Sequence, residues 1–177
     1  MKAAKLTHQL AFSLVAKIPP GTKLVDAQKQ KWDVLIIVKD GTSLNGRFLK
    51  SLEQHIDAPS KRANILKALN ELFPAALYDD YQAELAQSGV SCKIAHSFKG
   101  GAIKVWELKP NNKDRIYFFP MPDGVKGRKA IFLLMAYHKK DQQTPKEVKD
   151  FCENAIKEIL DSRSNIEICE EKNVAKK

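Results

Sequence analysis

The spacing of apolar residues changes twice along the chain. Leu6, Leu10, Leu14 and Ile18, with Ala11 and Val15 beside them, recur at helical intervals and predict an amphipathic helix over 4–18. Pro19-Pro20-Gly21 ends it, and the stripe is expected to dock on the chain's own core. The polar residues 22–31 predict a linker. Trp32 to Val38 is compact, apolar and rich in β-branched residues, which predicts a strand stopped by Asp40-Gly41. Thr42 or Ser43 can cap a helix with the stripe Leu44, Phe48, Leu52 and Ile56. Pro59-Ser60 opens a second helix, with Ile65, Leu66, Leu69, Leu72 and Phe73 inward and Pro74 as its stop. Residues 75–87 predict a short extra helix or a loop. Tyr78 and Tyr81 there are expected to pack, because Asp79 and Asp80 between them would repel a phosphate.

From Val90 the period becomes that of strands. Cys92–Phe98, Ile103–Leu108, Arg115–Phe119 and Lys129–Tyr137 are predicted strands, separated by Gly100-Gly101, by 111–114 and by a Pro120–Arg128 loop. The last of them is the most hydrophobic and is expected at the centre of the sheet. Thr144 then reads as an N-cap, with Pro145 at the first helical position and Glu147 completing a capping box. Val148, Phe151, Cys152, Ala155, Ile156, Ile159 and Leu160 form the inward stripe of that helix. The resulting order β-α-α-β-β-β-β-α is an α+β domain with a mostly antiparallel, meander-connected sheet. Three segments are expected: an N-terminal helical arm over 1–31, a domain over 32–162 and a charged tail over 163–177.

At 177 residues the chain is long enough for one full core. Charge changes the picture. Lys93 to Lys149 holds 13 Lys and Arg against 5 Asp and Glu, a net +8 of the whole chain's +9. That concentration points to an anionic partner, nucleic acid before a membrane surface. Cys92, Cys152 and Cys169 have no CxxC spacing and an odd count, so neither a disulfide framework nor a zinc site is expected, and Cys152 belongs to a helix stripe. Polar residues interrupt the N-terminal apolar stretch, and no run approaches the ~20 residues of a membrane span, so a cytoplasmic protein is expected.

Trp106-Glu107-Leu108-Lys109, the strand Arg115 to Phe119, and Phe132 to Val148 carry a resemblance. The most telling piece is an aromatic residue, any residue, Lys-Lys, x, Gln, x, Thr-Pro and a helix, here Tyr137 to Pro145. In these residues the chain resembles RelE/HigB-type toxins of bacterial type II toxin–antitoxin modules, over about 32–162 and most strongly over 104–160. The resemblance implies a twisted antiparallel sheet with a helical hairpin and a C-terminal helix packed on it, here with an extra N-terminal helix. It implies a metal-independent, ribosome-dependent mRNA endonuclease without cofactors. The implied partners are mRNA on the ribosome and a small helix-turn-helix or RelB-like antitoxin. Lys109 stands where many relatives carry Arg.

Metal-free RNA cleavage needs a 2′-OH deprotonated, a developing phosphorane charge stabilised and a 5′-oxygen protonated. Lys109 ends one strand and Arg115 begins the next, so a tight turn would bring both to one rim to hold the phosphate; otherwise they are solvated strand-end charges. His138 is a candidate general acid or base, and Tyr137 is the alternative proton donor or a packing residue. Strand alternation places these two on opposite faces. Lys139 and Lys140 are candidate phosphate contacts, with Lys104 and Lys113 beside them. Glu107 is expected to pair with a Lys or Arg, and His8, His55 and His96 to lie at the surface. No metal-ligand spacing is present. A ParE-like gyrase inhibitor and a non-catalytic basic nucleic-acid-binding domain remain as alternatives.

Overall fold

In a computed structural model, which describes residues 1–17, 20–41, 45–141 and 143–169, the chain is α+β with one seven-stranded mixed sheet. The strands are β1 (Lys2–Lys5), β2 (Trp32–Val38), β3 (Ser91–Phe98), β4 (Ile103–Lys109), β5 (Asp114–Val125), β6 (Arg128–His138) and β7 (Glu167–Cys169). Their order across the sheet is β3-β4-β5-β6-β2-β1-β7, which puts the hydrophobic β6 fourth of seven, as its composition requires. β3 to β6 form the antiparallel meander. Four of the six strand pairings are antiparallel, as expected, but the sheet is mixed, because β2 runs parallel to β6 and β7 parallel to β1.

Helices cover both faces. α1 (His8–Val15), α3 (Pro59–Ala75) and α4 (Tyr81–Ala86) share one core with Val34, Ile36, Ile116, Phe118 and Leu133. α5 (Lys146–Asp161) lies on the opposite face with Leu35, Val105, Tyr117, Phe132 and Leu134. α2 (Arg47–His55) has a different task. Pairing of β2 stops at Leu133, so the edge of β6 beyond it would be bare. There the Ala136 amide donates to Ser51 Oγ at 2.8 Å, and α2 closes that edge.

Several expectations are corrected. The helix predicted over 4–18 is a strand followed by a shorter helix. Lys2–Lys5 pairs with β2, Leu6 is buried beyond it, and Thr7 accepts from the Leu10 amide to start α1. Leu6 and Leu10 are therefore inward for different reasons, and their spacing mimics one stripe. Nor is 1–31 a purely helical arm or 163–169 a tail, since β1 and β7 extend the sheet and Ile166 is buried. Pro74 sits in the last turn of α3 rather than after it. The Pro120–Arg128 loop is instead the continuation of β5 and a tight hairpin into β6. Beyond Phe118 only β6 pairs with β5, so Pro120 and Pro122 remove no donor from the other ladder. Thr144 does not cap α5. Its hydroxyl lies 3.3 Å from Tyr117 Oη, and Pro145 occupies the cap position. The expected cap at Thr42 or Ser43, the stripe members Ile18 and Leu44, and 170–177 lie outside the described residues.

Candidate nucleic-acid interface

The face of β4 and β5 toward α5 is set by Val105 and Tyr117, both in that core. Alternation then places Glu107, Lys109 and Arg115 on the same face, past the end of the apolar layer. The β4–β5 turn adds Asn112 and Lys113, and the chain leaving β6 adds Lys139, Lys140 and Asp141. Together with Lys93 of β3 these residues line an open cleft of about 650 Å³. Its basic side chains number six, against the carboxylates of Glu107 and Asp141.

Arg115 is 4% exposed, and its two terminal nitrogens build this rim. Nη1 donates to the carbonyls of Asn111 and Asp114 at 2.7 and 2.8 Å, and Nη2 donates to the Asn112 carbonyl at 2.9 Å. Nε faces Glu107 Oε2 at 3.3 Å without hydrogen-bond alignment. The guanidinium thus folds the turn and offsets the buried carboxylate. Glu107 also faces Lys93 Nζ at 3.7 Å.

Lys139 is 7% exposed, and its amide donates to the Lys113 carbonyl at 2.8 Å, tying the end of β6 to the turn. Burial pushes its amine below the usual lysine range; Glu107 opposes this, while Arg115, Lys93 and Lys149 reinforce it. Lys109 is lowered too, by burial first and then by the fields of Lys93 and Arg115. Crowded cations of this kind favour an anion between them.

Five of the eight residues singled out in the sequence, Lys109, Lys113, Arg115, Lys139 and Lys140, meet in this cleft. Three do not. His138 faces the opposite side of the sheet, where its Nδ1 lies 2.7 Å from Asp114 Oδ1. Asp114 is buried and also accepts from Asn64 and Asn111, at 2.8 and 2.7 Å. Tyr137 packs in the α5-side core with its ring 4.9 Å from that of His55. Lys104 sits at the far end of β4, opposite Ser97, on the face away from Val105. His8 is not at the surface: it is buried, stacked between Phe12 and Phe73. Its Nδ1 accepts from the Val25 amide, so Nε2 donates to Asn70. Of the two tyrosines read as packing residues, Tyr81 is buried and Tyr78 exposed.

Lys93 escapes a reading by alternation. Counting back from Phe98, which pairs with Ile103 on the α5 side, regular alternation turns Lys93 to the other face. The register shift between Ile94 and His96 moves it by one residue, opposite Glu107 and into the cleft. Only the bulge reveals it. Among the described residues no group of three or more His, Cys, Asp and Glu side chains is placed to hold a metal ion, and no helix is long and apolar enough to cross a membrane. Compared with protein-family models, curated proteins and solved structures, the chain matches none of them.

Proposed function

We propose that the chain is a RelE/HigB-type toxin that binds and cleaves mRNA on the ribosome without a metal, in the cytoplasm, held in check by a small antitoxin that covers the basic cleft. The observation that carries this reading is the convergence of Lys93, Lys109, Lys113, Lys139 and Lys140 around buried Glu107 and Arg115. The order β2-α2-α3-α4-β3-β4-β5-β6-α5, with the short α4 as an addition, also fits the architecture that the motif resemblance implies. Within the cleft, Lys113 and Lys140 neutralise non-bridging phosphate oxygens. Lys109 and Lys139, with their lowered pKa values, take or return the proton at the sugar and leaving oxygens. Arg115 acts through the turn it shapes.

The engagement of Arg115 and the turning away of His138 favour a second reading, an RNA-binding domain without chemistry. One experiment separates the two. Purified protein is added to ribosomes translating a defined mRNA, and cuts are mapped by primer extension. Cleavage is expected, falling by roughly 100-fold or more for Lys109→Ala with Lys139→Ala. RNA binding without any cut would leave only the second reading; cleavage at full rate by the double variant would place the chemistry elsewhere.

A further inference from the structure

A second basic cleft, of about 470 Å³, opens where β1 and β2 meet the first turn of α2. Lys2, Lys39, Arg47 and Lys50 line it, with Glu158 as its carboxylate. Glu158 is ion-paired to Arg47. Among the described residues no ion pair neutralises Lys2, Lys39 or Lys50, and the latter two are exposed. Three ammonium groups facing one cleft repel one another, and an anion between them relieves that repulsion. The cleft lies at the same end of the sheet as the first. Parallel pairing sets Ile36 beside Leu133, so the chain ends that carry Lys39 and Lys139 leave the sheet in the same direction.

We infer that this cleft is a second phosphate-binding site for the same single-stranded RNA, so that a strand held in the first groove is gripped again beside α2. The inference rests on the RNA reading above. A strand reaching both clefts has to bridge them, so binding acquires a length threshold. The test is fluorescence anisotropy with labelled single-stranded oligoribonucleotides of about 5 and about 15 nucleotides, a length within reach of several phosphate contacts. Lys39→Glu with Lys50→Glu, both surface changes, is expected to weaken the longer probe roughly tenfold and lower its log K against log salt slope by ~1.4, two phosphates' worth for a single strand. The shorter probe should bind the variant as it binds the unsubstituted protein. Equal affinity of variant and parent for the longer probe overturns the inference, and so does equal weakening of both probes, which would mark a diffuse field. Failure of the unsubstituted protein to bind the shorter probe would instead sink the reading of the first groove.

Discussion

Arg115 carries a double burden that its residue type makes possible. A planar fork reaches three carbonyls of one turn while its charge faces Glu107. Lysine keeps the charge but cannot make those bonds together. Arg115→Lys is therefore expected to cost about 2–4 kcal/mol of stability, seen as a lower urea midpoint, and to weaken RNA binding through a loosened turn. Unchanged stability with lost binding would mean direct contact with the ligand instead. On the other face, Asp114 anchors the same turn. Burial pushes its carboxyl up, but hydrogen bonds from His138, Asn111 and Asn64 together outweigh that and hold it below the usual range. The folded chain then binds this proton less tightly than the unfolded chain does. Its stabilising contribution is present above the ordinary carboxylate value near ~4 and is lost as the pH falls through the folded value. Asp114→Asn should flatten the urea stability profile between about pH 6 and about pH 3; a profile as steep as the parent's would assign the acid sensitivity to other carboxylates, Asp33 first.

The β5–β6 hairpin shows how much an element depends on one glycine. At Gly124, with φ +70°, an added Cβ would lie 1.7 Å from the Arg128 carbonyl oxygen, whereas at Gly127, φ +80°, nothing stands within 4 Å. Gly124→Ala is expected to destabilise by more than ~3 kcal/mol, and Gly127→Ala by only ~1 kcal/mol, in urea unfolding. Similar losses at both sites would mean that the strand relaxes around the register shift between Met121 and Val125. This hairpin also marks where sequence reading stops. Long periodic segments such as Leu66 to Phe73 and Ile131 to Tyr137 declare themselves because burial on a fixed period leaves few alternatives. Pro120 and Pro122 read as loop because their tolerance depends on which neighbour pairs with the strand, a tertiary fact. The same holds for the site. Lys109, Lys113 and Arg115 are legible from a turn between two strands, but the groove position of Lys93 depends on a bulge and the displacement of His138 on which face Asp114 occupies.

For the whole molecule, the consequential finding is that the first thirty-one residues belong to the fold that holds the cleft. β1 pairs over its full length with Leu35 to Val38 of β2 and carries β7 on its other side. Leu6, Leu10, Phe12 and Val15 are buried in the core shared with α3. Burying four such side chains contributes roughly 6–12 kcal/mol, comparable to the ~5–15 kcal/mol that separates a folded domain from its unfolded chain. Removal would also bare the β2 edge, a template for strand pairing between molecules. His8 ties the segment down with both ring nitrogens and stays neutral there, burial lowering its pKa against the opposing Asn70 hydrogen bond. A chain beginning at Lys31 is thus expected to be unfolded or aggregated by circular dichroism and size-exclusion chromatography. If that shortened chain instead melted cooperatively with the parent's Tm, the 32–162 segment would be an independent unit, and the N-terminal strand and helix would be accessory to the cleft rather than part of what holds it in shape.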